Sequence, residues 1–476
     1  MRFFLVLMLA AVVVNIGSGA KAASYTEATV SAIVLDINDD GIETTGVKSK
    51  EVMFDFDGDG VKIRTGWISP ADGFLAYDRN GDGRINNGQE LFGNKTRHYK
   101  KPGFCRNGYQ ALAQQDTNGD GLVNHLDDNW RHLKIWRDLN QNGVTNEGEL
   151  FNLDELGITG FKVESGGPDV DQNDNILRGE GVYYDATGKD RLFSDVWFAQ
   201  NLFYSRFPNE KTPENLHGLP LMNGSGKVPP IIQACARSET LAEIYRQMAA
   251  AEGRRDKLAL VDNLLYEWAN TSGMISTYAA RKTYADKIIH NNLPMPLEEW
   301  DRILHVVQAF NGRYMVDAPD LRRSTKGKTI TVDWTEVNIN KILKAYDALR
   351  KFAYGAVATQ THLSKYENVV ITNVDPEVAY DYTLVEYYFS RALESENRMR
   401  VLEDLLDFQQ VSSYFRKEST WEADELIVKI LHNMKMTPEL RALCEEFKLN
   451  VRGRLVLLLM QQKAETLFAT KRKTGW

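Results

Sequence analysis

Between Asp36 and Gly143 one short pattern, Asp-x-(Asp/Asn)-x-(Asp/Asn)-Gly, occurs five times. The copies are Asp36-Asn38-Asp40-Gly41, Asp55-Asp57-Asp59-Gly60, Asp78-Asn80-Asp82-Gly83, Asp116-Asn118-Asp120-Gly121 and Asp138-Asn140-Asn142-Gly143. Asp, Asn and Gly all disfavour the interiors of helices and strands, so each copy must be a tight loop. Oxygen side chains at alternate places of such a loop converge on one hard cation. The Gly at the sixth place allows the sharp turn, and a carboxylate at the twelfth closes the cage. A single Asp-Gly turn forms for backbone reasons alone, as a solvated acidic turn. Five within about 110 residues predict calcium, which takes six to eight oxygens. Magnesium fits less well, because it keeps several waters in a smaller octahedral shell.

The copies differ in how they close. The loop from Asp138, with Asn140 and Asn142, has Glu149 at place twelve and is complete. The loop from Asp116, with Asn118 and Asp120, has Asp127 there, a shorter acid that binds more weakly. The loop from Asp78, with Asn80 and Asp82, carries Gln89 at place twelve and Glu90 one place late, so it closes only through a shifted backbone. The loops from Asp36 (Asn38, Asp40) and Asp55 (Asp57, Asp59) follow short apolar runs and have no twelfth carboxylate; a cation there needs ligands from elsewhere. A sixth run, Asp169-Asp171-Asn173-Asn175, lacks both the Gly and a closing acid.

The acidity belongs to one half of the chain. The net charge is −8, and the first 200 residues hold about 30 acidic against about 20 basic side chains, the rest being near neutral. That balance argues against a nucleic-acid binder, which carries a basic excess. With 476 residues, 43% of them hydrophobic and 26% charged, the chain is expected to hold more than one globular domain. Residues 1–22 read as a secretory signal peptide: Arg2, an apolar run from Phe3 to Val14, then Ala20-Lys21-Ala22 as a cleavage site. The protein is therefore expected to be exported, periplasmic or secreted, with no transmembrane segment once the signal is removed. Cys105, Cys235 and Cys444 show neither a disulfide framework nor a zinc pattern.

The expected fold is α+β. A calcium-binding module over 23–204 is rich in EF-hand-like loops and small β elements. Short strands are expected at Ile33–Leu35, Val52–Phe54, Phe161–Val163, Gly181–Tyr184 and Leu192–Trp197, and short helices at Gly108–Gln115, Leu126–Leu133 and Leu150–Leu156. Prolines 208, 213, 220, 229 and 230 mark a linker over 205–235. An α-helical domain over 236–476 follows, with amphipathic stretches at 257–270, 297–310, 338–360, 376–414, 423–434 and 450–470. Tyr380, Tyr382, Tyr387 and Tyr388 are expected in its core.

Several stretches resemble the FrpA/FrpC-type iron-regulated RTX proteins, specifically their calcium-dependent self-processing module. They are Leu35–Thr44, Thr65-Gly66-Trp67, Asp78–Gly83 with Glu90-Leu91-Phe92-Gly93, Gly108–Ala113, Ile135–Asn140, and Glu149-Leu150 with Leu156-Gly157-Ile158. A looser likeness continues through Ser205-Arg206-Phe207 and Leu258–Leu264 with Trp268-Ala269. The resemblance implies a calcium-folded module of an exported bacterial protein linked to host contact. The chain departs from the family in lacking glycine-rich nonapeptide repeats. It departs again where the family cuts an Asp–Pro bond, because the equivalent place reads Ser31-Ala32. The only Asp–Pro is Asp375–Pro376.

No His-Glu-x-x-His, Gly-x-Ser-x-Gly or phosphate loop is present. His125 and His132 read as surface residues. The leading expectation is an exported calcium-binding protein that contacts an unidentified protein or cell-surface partner and carries no catalysis. The alternatives are an autoproteolytic or transpeptidating module, disfavoured by the missing Asp–Pro, and a toxin or hydrolase in the helical half.

Overall fold

A computed structural model describes residues 27–100, 102–208, 212–276, 285–313, 325–373, 379–395, 397–415, 426–427 and 437–447. The signal-peptide segment, Asp375–Pro376, the stretch 450–470 and nearly all of 423–434 lie outside them. The described chain is β-rich to Arg206 and helical beyond it.

One antiparallel sheet of eleven strands organises the first half. Its main path runs β7 (Leu122–Asn124), β10 (Ile158–Lys162), β12 (Asn175–Asp185), β13 (Asp190–Arg206), β1 (Glu27–Leu35), β6 (Gly73–Tyr77), β8 (Leu133–Trp136) and β9 (Leu150–Asn152). β11 (Val170–Gln172) adds to β12, while β3 (Val52–Phe54) and β4 (Lys62–Thr65) attach through β13. β2 (Thr44–Thr45) and β5 (Trp67–Ile68) form a separate pair.

β1 is central and buried on both faces. Val30, Ala32 and Val34 face an aromatic core of Phe54, Phe56, Trp67, Phe74, Trp136 and Phe198; Ile33 and Leu35 face a second core with Phe92, Leu112, Phe161 and Phe193. Alternate residues point to opposite faces of a strand, so the run Ala32–Leu35 has to be apolar throughout. The strand expectations land inside these elements, but β13, at seventeen residues, is far longer than a small β element. It pairs in turn with β12, β1 and β4, and those non-local pairings extend it.

Two expected helices are not helices. Leu126–Leu133 contains only a 3-10 turn at Trp130–His132, and Leu150–Leu156 is β9 followed by a 3-10 turn at Asp154–Leu156. Leu150 and Phe151 pair with β8 at the edge of the sheet, which overrides the local helical spacing, while Leu126 stays exposed in a turn. The helix at Gly108–Ala113 (α1) forms, capped by Asn107. The sixth acidic run is a hairpin. Asn173 and Asp174 take φ of 55° and 68° at its tip, and buried Asn175 accepts from Ala199 N–H and donates to Thr45 O.

In the second half α2 (Ile231–Arg237), α3 (Glu239–Ala250), α4 (Arg254–Asn270), α5 (Leu297–Asn311) and α6 (Glu336–Gln360) pack around Trp268, Trp300, Phe310 and Phe352. The stretch 376–414 divides into helices at Thr383–Ser395 and Arg398–Phe415. A parallel pair, Ala285–Asn291 with Thr325–Asp333, went unforeseen. At the centre of the bundle Asp407, fully buried, holds Arg254 Nη1 at 2.5 Å, the Tyr354 hydroxyl and His362 Nε2 at 3.3 Å. Tyr382 is buried as expected, whereas Tyr387 and Tyr388 are exposed by 57% and 46%.

The halves meet at residues 225–228. Gly226 N–H donates to Leu202 O of β13, and Lys227 N–H to Ala309 O of α5. A Cβ on Gly226 would lie 2.3 Å from Gly312 N, so the backbones touch there because neither residue has a side chain.

Candidate metal centres

All five acidic loops share one hydrogen-bond scheme. The Asp at place one accepts the backbone N–H groups of places five and six, as Asp36 does from Asp40 and Gly41 at 3.3 and 2.9 Å. Asp55, Asp78, Asp116 and Asp138 do the same. This turn needs no metal, and its geometry comes from the Asp and Gly residues themselves.

Closure separates the loops. In the loop from Asp138 the Glu149 carboxylate accepts Leu139 N–H, at place two, and Asn146 N–H, at place nine, at 3.1 and 2.8 Å. Asp127 takes the corresponding N–H groups of Thr117 and Asn124 at 2.6 and 2.9 Å. Glu90 takes those of Arg79 and Asn86 at 3.2 and 2.8 Å, although it stands at place thirteen. The 3-10 turn Gly88–Glu90 absorbs the extra residue, and Gln89 turns out of the loop to Arg97. All three closing acids are buried. The third and fifth loops also pair: Ile85 N–H, at place eight of one, donates at 2.9 Å to Thr145 Oγ1, at place eight of the other.

Strands, not helices, flank the fifth loop, so the EF-hand likeness is confined to the loop itself. Asp138 is fully buried, and its Oδ2 accepts the Trp67 indole N–H at 2.8 Å, which ties the loop to the aromatic core. The signature Glu90-Leu91-Phe92-Gly93 follows the same logic. Glu90 closes a loop, Leu91 and Phe92 enter opposite cores, and Gly93 lies against β1, where a Cβ would be 1.6 Å from Ser31 O.

Among the described residues no group of three or more His, Cys, Asp or Glu side chains stands ready to hold a metal. The asparagines of the loops turn their amide nitrogens, not their oxygens, inward. Asn80 and Asn118, at place three, direct their Nδ2 at Asp82 Oδ2 and Asp120 Oδ2, at 3.2 and 3.1 Å. Asn140 and Asn142 both donate to Asn146 Oδ1 at 2.9 Å. A half-turn of each amide replaces the donor by Oδ1, an oxygen ligand.

The second loop is different. Lys95 Nζ lies 2.7 Å from Asp57 Oδ1, and Lys227 Nζ lies 2.8 Å from Asp57 Oδ2 and 2.7 Å from Asp59 Oδ2. Burial raises the Asp57 carboxyl, but the two lysines outweigh it and hold it down at about 2. The ligands expected at Asp57 and Asp59 thus carry ammonium groups from their own chain, while Asp55 holds the turn. Lys227 latches the module to the segment that leads into the helices. Nothing in the local sequence marks Lys227 for this role, since it is remote in the chain.

Two further acids were missed from sequence. Asp195 is buried beside Ser31 and accepts the Trp197 indole N–H at 2.7 Å. Burial pushes its carboxyl up to about 6, against the Ser31 and Trp197 hydrogen bonds. Asp72, equally buried, sits beside the first loop, with Glu43 N–H donating to its Oδ2 at 2.9 Å. His125 and His132 are exposed as expected. In the helical half a cleft of about 730 Å³ opens between α4, α5 and α6. Within it Arg350 Nε lies 2.7 Å from Asp262 Oδ1, and Arg302 stacks 4.3 Å over Tyr266.

Residues 33–199, within the β-rich half, match the SPM domain family. Over 245 residues, half of this chain, the sequence is 38% identical to the iron-regulated protein FrpA of Neisseria meningitidis serogroup C. Through that half the chain is similar to FrpA. The aligned region spans only 22% of FrpA's length. Among the described residues no helix is long and apolar enough to cross a membrane.

Proposed function

We propose that the β-rich half is a calcium-folded module of an exported bacterial protein, and that module and helices together contact a protein or cell-surface partner. The observation that carries this reading is the shared closure of three loops, in which Glu149, Asp127 and Glu90 grip the same two backbone N–H groups. Three buried carboxylates in one small domain, each held by backbone N–H groups at the twelfth or thirteenth place of an acidic loop, supply the closing oxygens that a calcium loop uses. The partner reading draws on Leu384, Tyr387 and Tyr388, exposed among the described residues at helical i, i+3, i+4 spacing on Thr383–Ser395.

Calcium titration of the full chain by calorimetry tests the proposal, with terbium as a luminescent substitute. Trp67 is hydrogen-bonded to Asp138, so indole excitation should sensitise terbium in that loop, and Trp67→Phe should lower the signal. Absence of both calcium heat and terbium luminescence would refute calcium binding.

The self-cleaving alternative has weaker support. Anhydride formation needs a side-chain carboxylate next to the scissile carbonyl, and Ser31 offers a hydroxyl. Ser31 and Ala32 lie within β1, paired with Trp197 and Val196, and Ser31 N–H and Oγ are both engaged by Asn94. The purified chain, incubated with millimolar calcium, should show no fragment cut at Ser31–Ala32 by intact mass. A cut there would reinstate the alternative.

A further inference from the structure

The first loop lacks a closing acid within its own sequence, since place twelve is Val47 and the next residue is Lys48. The fold supplies one from elsewhere. β1 and β6 pair antiparallel with Val34 opposite Phe74 and Leu35 opposite Gly73. Continued by one step past the ends of both strands, this register sets Asp36 opposite Asp72. Directly opposed residues of an antiparallel pair project to the same face with Cβ atoms about 4.5–5.5 Å apart, and like charges in that relation repel. Both acids are buried, Asp36 at 4% exposure and Asp72 at 1%.

The two oxygens of Asp72 are not equivalent. Oδ2 accepts Glu43 N–H, place eight of the first loop, much as Glu149, Asp127 and Glu90 grip N–H groups of theirs. Oδ1 is buried and has no hydrogen-bond partner. The charged neighbours acting on this carboxyl are Asp36, Glu43 and Asp40, all acidic. Lys189 and Arg191 pair instead with Asp39, on the exposed side of the loop, and Arg137, beside Asp72 in the fold, gives its Nη2 to the Pro70 and Ala71 carbonyls. A bare buried carboxylate oxygen facing further acids is costly unless something positive meets it.

We infer that Asp72 is the missing closing ligand of the first loop, so that Asp36, Asn38, Asp40 and Asp72 make a calcium-class site from two separate chain segments. Asn38 now donates to Asp40 Oδ2 at 2.7 Å and offers its Oδ1 after the same half-turn as the other place-three asparagines. A cation here fastens the end of β1 to the β5–β6 turn. It turns a repulsive cross-strand pair into a bridge at the centre of the sheet. This inference rests on the calcium reading above.

The test counts bound calcium per chain by native mass spectrometry, on the full chain, for wild type, Asp72→Asn and Asp36→Asn. Asparagine keeps an acceptor for Glu43 N–H, so the turn itself is retained. Each variant should carry one calcium fewer than wild type, and the double variant should lose no second ion. In saturating calcium Asp72→Asn should unfold at a lower temperature than wild type; at calcium just sufficient to keep the module folded the gap should close or reverse, because the repulsion is gone. A purely structural role for Asp72 predicts destabilisation in both conditions and an unchanged calcium count, which would overturn the inference while leaving the other loops standing. A wild type that binds no calcium would overturn it together with the broader reading.

Discussion

Excess chelator should abolish the tertiary structure of the β-rich half while the helical bundle stays folded. Without a cation, Glu149, Asp127 and Glu90 remain buried beside other acidic and asparagine side chains. A ligand bound only by the folded state adds about 2.7 kcal/mol per site at one hundred times its dissociation constant. Three such sites compare with the whole stability of a typical domain, roughly 5–15 kcal/mol. The bundle has its own core around Trp268, Trp300 and Phe352, with acids balanced internally, as Asp407 is by Arg254. Near-ultraviolet circular dichroism should report the loss, because Trp67 and Trp136 pack at 5.6 Å in the aromatic core. The far-ultraviolet helical signal should persist. An unchanged near-ultraviolet spectrum in chelator would exclude calcium as the organiser of this half.

Asp138→Ala should be the most damaging single loop substitution, costing about 3–5 kcal/mol in saturating calcium. It strands the Trp67 indole N–H and the backbone N–H groups of Asn142 and Gly143. A buried donor left unmade costs about 1–3 kcal/mol, and the cation is lost besides. Asp116→Ala removes an equivalent set of backbone bonds, but those from Gly119 and Asp120 are at the surface, where water replaces them. Urea midpoints for the two variants in calcium should therefore separate clearly. Equal midpoints would mean that Asp138 is no more than a turn residue.

The loops were legible because their chemistry is local. Asp at place one and Gly at place six dictate the turn wherever it sits, and all five turns formed as the pattern requires. The closing acids Glu149 and Asp127 were read from spacing alone. Glu90 was readable only with a backbone shift, which the 3-10 turn Gly88–Glu90 provides. Long amphipathic segments such as Arg254–Asn270 were equally plain, because a 3.6-residue apolar period has one folded solution. What each acidic loop faces was decided by tertiary structure. Lys227 reaches Asp57 and Asp59 across the joint between the halves, and Asp72 is carried by the β1–β6 pairing to the first loop, where it accepts Glu43 N–H. The extent of β13, the reversal of two short helices into sheet edge and turn, and the exposure of Tyr387 and Tyr388 have the same origin. Sequence specifies the groups a segment carries and its local turns. Charge compensation and strand pairing act between segments remote in the chain, and only the assembled sheet brings those partners together.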